Sequence, residues 1–157
     1  MTLEETGVNA LLSGGDYDFY FRGRTDEKGE PVDVLRAAFS CDWYFSSSNA
    51  ITEDGLLYNV DGNANRVAAL CFGPKKVVII AGYNKVVRNL HAAAERVRAI
   101  AAPANCIRLG KKTPCASTGH CMDCKSPDHI CCDRVIQGFQ RDPERIKVFL
   151  LPEDFGY

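Results

Sequence analysis

Lys75-Lys76-Val77-Val78-Ile79-Ile80-Ala81-Gly82 is the stretch on which the fold turns. Val77–Ala81 is an unbroken apolar, largely β-branched run. Such a run, with no polar residue alternating into it, suits a central parallel strand buried on both faces. Asn84-Lys85 follows at its carboxyl end. A helix is then expected over about Val86–Ala102, with Val86, Leu90, Ala93, Val97 and Ile100 facing inward and Arg88, Glu95, Arg96 and Arg98 facing water. Pro103 should end it. Further on, Arg145–Leu151 (RIKVFLL) reads as a second apolar strand. Strand, helix and strand in this order argue for an α/β fold with a largely parallel sheet flanked by helices.

Upstream, Asp42–Ser46 reads as a strand. Ala50–Glu53 and Leu56–Val60 flank Asp54-Gly55, the strongest short-range hairpin signal in the chain. Asp61-Gly62 marks the next turn, and Asn63 or Asn65 should cap a helix running to Phe72 and stopped by Gly73-Pro74. At the amino end, Thr2-Leu3-Glu4-Glu5 has the form of a capping box opening a short helix that Gly14-Gly15 stops. Asp16–Arg22 is aromatic and is expected to pack on the body. Pro31 should open another short helix ending near Phe39.

The residues Thr113–Cys132, TPCASTGHCMDCKSPDHICC, hold five of the eight cysteines. Their spacing is C-x5-C-x2-C-x6-C-C. Cys121-x-x-Cys124 puts two sulfurs on one tight turn, a common grip on a tetrahedral ion. Cys115 and either Cys131 or Cys132 complete four thiolates. Four thiolates suit zinc or an iron–sulfur cluster, and the spacing does not choose between them. His120 and His129 are substitutes for one sulfur. Reduced buried thiols, and disulfides or a redox dithiol, are the readings without metal. Gly, Pro, Ser and Asp between the cysteines read as loop. Cys71, among apolar neighbours, reads as core, and Cys41 and Cys106 stand apart in sequence.

At 157 residues the chain is expected to be one domain, with a core of ordinary size. A net charge of −1 gives no signature of nucleic-acid or anionic-membrane binding. Abundant cysteine with no visible secretion signal suits a reducing cytoplasm.

Several segments together resemble the LUD-domain family, the lactate-utilisation-type proteins. They are Ser47–Gly62, Asn65-Arg66-Val67, Gly73-Pro74-Lys75-Lys76, Ala81-Gly82-Tyr83-Asn84-Lys85 and the TPC…TGxCxDCxSPxxxC loop. The likeness runs from Thr2 to Gly156, and the loop looks like that of short, stand-alone bacterial members. It implies a fold similar to that of CoA transferases and ribose-5-phosphate isomerase, and a place in lactate or organic-acid utilisation or related redox metabolism. Oxidoreductase partner subunits and a homodimer are implied in the same way. Short members carry a helical segment and a strand ending in Gly-Gly-Ser ahead of the equivalent of Thr2-Leu3. On that comparison the domain is N-terminally incomplete. The alternatives are a CoA-transferase- or sugar-phosphate-isomerase-like enzyme with a structural zinc, in which Glu53 is the acid–base candidate, and a non-catalytic scaffold.

In open α/β folds, ligands sit beyond the carboxyl ends of the strands. The candidates there are Asn49, Thr52, Asn59, Asp61, Gly62, Arg66, Asn84 and Lys85. A carboxylate, amides, a guanidinium and an ammonium suit a small organic acid or a phosphorylated ligand, with Arg66 or Lys85 taking the anion. Asn59, Asp61 and Asn65 also have a purely local reading as turn and cap residues. The candidate metal ligands are Cys115, Cys121, Cys124 and Cys131.

Overall fold

The β-branched run is buried as its composition demands: Val77, Ile79 and Ala81 are wholly inaccessible to solvent, and Val78 and Ile80 nearly so. They belong to a computed structural model that describes residues 1–157. In chain order the elements are helices α1 (Thr2–Glu5), α2 (Val8–Gly14) and α3 (Val34–Ala37), then strands β1 (Trp43–Ser46), β2 (Ala50–Thr52) and β3 (Leu57–Asp61). Helix α4 (Asn65–Phe72), strands β4 (Lys76–Gly82) and β5 (Val86–Val87), and helices α5 (Leu90–Arg96), α6 (Ala102–Arg108) and α7 (Pro114–Thr118) follow. Strands β6 (Asp133–Gln137) and β7 (Ile146–Leu151) complete the chain.

β4 is the middle of a three-stranded parallel sheet, order β1-β4-β7. A second sheet of order β5-β2-β3-β6 is mixed: β5 joins β2 in parallel, while the hairpin and β6 are antiparallel. The two sheets share one core. Ile51 and Leu57 point toward Val77, Ile79 and Ala81, with Leu70 of α4 beside them. On the opposite face, Ala50, Tyr58 and Val60 pack on Ala93, Val97 and Ala102. The alternation along β2 and β3 therefore serves two apolar layers rather than one layer and solvent. The parallel sheet is covered on one side by a second sheet, which the expectation of flanking helices did not include.

The hairpin forms as read, with Gly55 at φ 90° in its turn. Other boundaries differ for local reasons. The N-terminal capping box does not form: the Thr2 hydroxyl donates to the Phe155 carbonyl (3.3 Å), and Glu5 accepts from the Gly156 amide. Gly7, at φ 74°, breaks the helix in two. Helix α4 is capped by neither Asn63 nor Asn65 but by Asp61, whose carboxylate accepts from the amides of Arg66 (2.9 Å) and Val67 (3.1 Å). Val86-Val87 is a strand, and the helix starts at Leu90 with Asn89 as its cap.

Pro103 does not stop the helix. Residues Val97–Ala101 make one wider π turn, so helical backbone continues from α5 into α6 and Pro103 sits in the first turn of α6. A π turn relieves the lost amide by shifting the hydrogen-bond register. Ile100 is consequently exposed at 49%, while Arg96 is buried. Cys71 is exposed rather than in the core. Tyr17, Tyr20 and Phe21 are exposed too, with Arg24 stacked 4.0 Å over the Tyr20 ring. No helix is long and apolar enough to cross a membrane.

Candidate functional site

Three chain segments leave the carboxyl ends of β1, β4 and β7 and meet. Ser47 follows β1, Asn84-Lys85 follows β4, and Phe155-Gly156 belongs to the strap that follows β7. Lys85 Nζ donates to the hydroxyls of Thr2 (2.7 Å) and Ser47 (3.1 Å) and is 3% exposed. Both partners are neutral, and no carboxylate pairs with the ammonium. Burial, with the positive charges of Arg96 and Arg66 adding to it and the negative charge of Glu5 opposing, lowers its pKa to about 8. Arg96 is also buried. Its Nε donates to the Asn84 carbonyl (2.9 Å) and its Nη1 to the Asn49 carbonyl (2.8 Å), so main-chain oxygens position it and Nη2 is left over. Burial lowers the Arg96 pKa, and Asp154 opposes this.

The strap closes over these cations. Asn84 Nδ2 donates to the Gly156 carbonyl (2.8 Å), and the Tyr83 amide donates to the Glu153 carbonyl (3.1 Å). Gly82 permits the approach, since a Cβ there would lie 2.4 Å from the Phe155 nitrogen. Gly156, at φ 63°, is required in the same way: its Cβ would meet the Thr2 hydroxyl at 2.4 Å and Lys85 Nζ at 3.1 Å.

Arg66 does something different from what its neighbourhood suggested. All five of its N–H donors are used internally. Nε reaches Asp61 (3.0 Å), Nη1 reaches the Asn59 side chain and the Ser47 carbonyl (3.3 Å), and Nη2 reaches Asn49 Oδ1 (2.8 Å) and the Val60 carbonyl (3.0 Å). Asn49 Oδ1 also accepts from the Val60 amide (2.8 Å). Arg66, Asp61, Asn59 and Asn49 therefore form a bracket that ties the ends of β1 and β3 together beside Lys85. Asn59 is fully buried, and its Nδ2 has no acceptor. Thr52 belongs to the hairpin turn, where its hydroxyl accepts from the Leu56 amide (2.9 Å) and donates to Asp54. Gly62 is a packing position: a Cβ there would stand 3.2 Å from the Ile130 backbone. Glu53 is exposed beside the turn. Of the eight candidates, Asn84 and Lys85 belong to this buried cluster directly; the structure adds Thr2, Ser47, Arg96 and the strap.

The cysteine segment is partly ordered by a helix, since Pro114–Thr118 is α7, and it runs into β6 through Cys132, whose amide donates to the Asp61 carbonyl (2.9 Å). Arg98 chelates Asp123 through both terminal nitrogens, one bond at 2.8 Å, and so pins the Cys121–Cys124 turn. Asp128 is held by Lys111 Nζ (3.0 Å) and the Lys112 amide (2.7 Å).

Five thiols share this neighbourhood: Cys115, Cys121, Cys124, Cys131 and, from α6, Cys106. Burial raises the Cys106 pKa, a hydrogen bond from Thr113 opposes this, and Cys115 and Cys124 add to it. Burial, then Cys106, Cys121 and Cys115, push Cys131 up to about 11. Cys132 is exposed and turned away, which separates it from Cys131. His120 is exposed, and the ring of His129 lies 3.4 Å from the Cys124 carbonyl. As placed, no three of these side chains stand in an array that grips an ion. Beside the thiols is a cavity of about 160 Å³ walled by Tyr58, Val60, Val97 and Ala102, with Cys121 and Cys131 at its edge.

No curated protein and no solved structure matches the chain. A family model described as the LUD domain matches residues 1–151, nearly the whole chain and both clusters of polar side chains. The chain belongs to the LUD-domain family.

Proposed function

We propose that this LUD-domain protein serves organic-acid utilisation of the lactate type by binding a small organic acid in the crevice at the ends of β1, β4 and β7. One observation carries this reading: Lys85 and Arg96 are buried side by side with no carboxylate partner. A buried cation without a counter-charge is costly, and an incoming anion removes that cost. The hydroxyl oxygens of Ser47 and Thr2 accept from the ammonium and fix it in place. The expected result is that lactate raises the melting temperature of the wild type and leaves Lys85→Met unmoved. Because the anion favours the charged amine, affinity should fall as pH rises through about 8. A stabilisation that is the same in Lys85→Met, or that strengthens at high pH, counts against the crevice. Acyl-CoA and sugar phosphate serve as comparison ligands. Exposed Glu53 gives a transferase reading no support.

A second reading rests on the five thiols. All-sulfur donors suit zinc or an iron–sulfur cluster. Cys115, Cys121, Cys124 and Cys131 are the candidate ligands, and Cys106 joins them from α6. A bound ion would stabilise the thiolates and hold the loop closed. Protein purified without oxygen should contain about one zinc, or iron with sulfide, per chain. Cys121→Ser/Cys124→Ser should lose it. Equal metal in both proteins, or none in the wild type, would remove this reading.

A further inference from the structure

Lys85 differs from an ordinary anion-binding lysine in three respects. It is almost completely buried, its two hydrogen-bond partners are both hydroxyls, and two guanidinium groups stand near enough to disfavour its proton. An amine in such surroundings is held in place and is available as a nucleophile. Next to it, Arg96 is fixed by two main-chain carbonyls and retains Nη2. Amine and guanidinium together match a molecule that carries a carbonyl carbon next to a carboxylate.

We infer that Lys85 forms an imine with a small 2-oxo acid whose carboxylate is bound by Arg96. This rests on the crevice reading above and goes further by naming a covalent step. The Nζ lone pair adds to the carbonyl carbon, and the C=O π electrons move to oxygen. One proton leaves nitrogen and one reaches that oxygen, giving a carbinolamine. The C–O bond then breaks, the remaining proton on nitrogen ends on the departing hydroxyl, which leaves as water, and nitrogen and carbon are doubly bonded. Amine and ketone give imine and water, and no oxidant or reductant is needed. The Thr2 and Ser47 hydroxyls accept from the free amine and position it for the attack. Access requires the strap to lift. Asn84 Nδ2 and the Thr2 hydroxyl donate to its carbonyls, its Gly156 amide donates to Glu5, and Gly156 contributes no side chain to be pulled from the core.

The test is reductive trapping on the full chain. The protein is incubated with pyruvate, reduced with borohydride, and read by intact mass and peptide mapping. One reduced adduct per chain at Lys85 is expected. It should be absent in Lys85→Arg, which keeps the charge but not the nucleophile, and suppressed by excess lactate, which has the carboxylate but no carbonyl. Adducts confined to surface lysines, or persisting unchanged in Lys85→Arg, would overturn the inference. Melting temperatures recorded with lactate and with pyruvate, without borohydride, separate the two levels. Stabilisation by both acids with no adduct leaves the crevice standing and defeats the imine. Neither stabilisation nor adduct defeats both.

Discussion

Arg66→Met should cost about 3–5 kcal/mol of folding stability, read from urea denaturation. The side chain is 22% exposed and Asp61 11%, so solvent cannot take over the lost contacts. Removing the guanidinium leaves the Asp61 charge without its counter-ion, holding only the amides of Arg66 and Val67, and takes one donor from each of Asn49 Oδ1, Asn59 Oδ1 and the carbonyls of Ser47 and Val60. Leaving a buried charge uncompensated is the expensive part. Adding Asp61→Asn to Arg66→Met should therefore restore part of the loss, although the amide is the poorer cap for α4. A cost below about 1 kcal/mol, the range of exposed pairs, would mean that the bracket does not tie the ends of β1 and β3 together. The reading of Arg66 as an anion ligand is replaced by this architectural one, since no donor is left to offer.

The second large effect is on stability against pH. Lys85 has a folded pKa of about 8, against an ordinary 10.5. Below pH 8 both folded and unfolded chains carry the proton, and the folded state bears the full cost of burying it. Between about 8 and 10.5 the unfolded chain keeps a proton that the folded chain sheds, so this contribution to stability rises with pH. Above that range both forms are neutral and the gain is complete. A shift of this size is worth roughly 3 kcal/mol. The groups facing Lys85 are Glu5 from α1, Arg66 from α4 and Arg96 from α5, with Asp154 of the strap near Arg96. Other lysines and the cysteines titrate in the same range, so the quantity to measure is the difference between wild type and Lys85→Met. That difference should shrink as pH rises from 8 to 10.5. A difference that is flat across this interval would show that Lys85 meets water in solution.

What could be read from sequence was what neighbours in the chain decide. Val77–Ala81 and the Asp54-Gly55 hairpin each carry their own signal, and both formed as read. Residues whose roles depend on distant partners were misplaced. Arg96 was assigned to solvent with Arg98, yet at three residues from Ala93 and one from Val97 it borders the buried stripe, a signal that was available. Thr2 and Glu5 have the spacing of a capping box, but their side chains engage residues more than 150 positions away. Nothing local announces that. Cys106 stands apart in sequence from the other thiols, and a helix ended at Pro103 gives it no path to them. With the helix continued through it, the thiol arrives beside those of the following loop.

That continuation has a mechanical consequence. Leu90 to Arg108 is one helical run, with Arg96 near its start in the crevice and Cys106 near its end among the thiols. The wide turn between them sets the phase of one end against the other, as a keyway sets two cams on a shaft. Deleting one residue within 97–101 would restore even α-helical winding and leave Cys106 within about 20° of its present phase relative to Arg96, because a π turn is the way a helix absorbs one extra residue. The spacing of this segment is thus under a constraint that its alanine-rich composition does not advertise: one residue fewer is absorbed by tightening the π turn, and one residue more, wound as α-helix, would turn Cys106 by about 100° relative to Arg96.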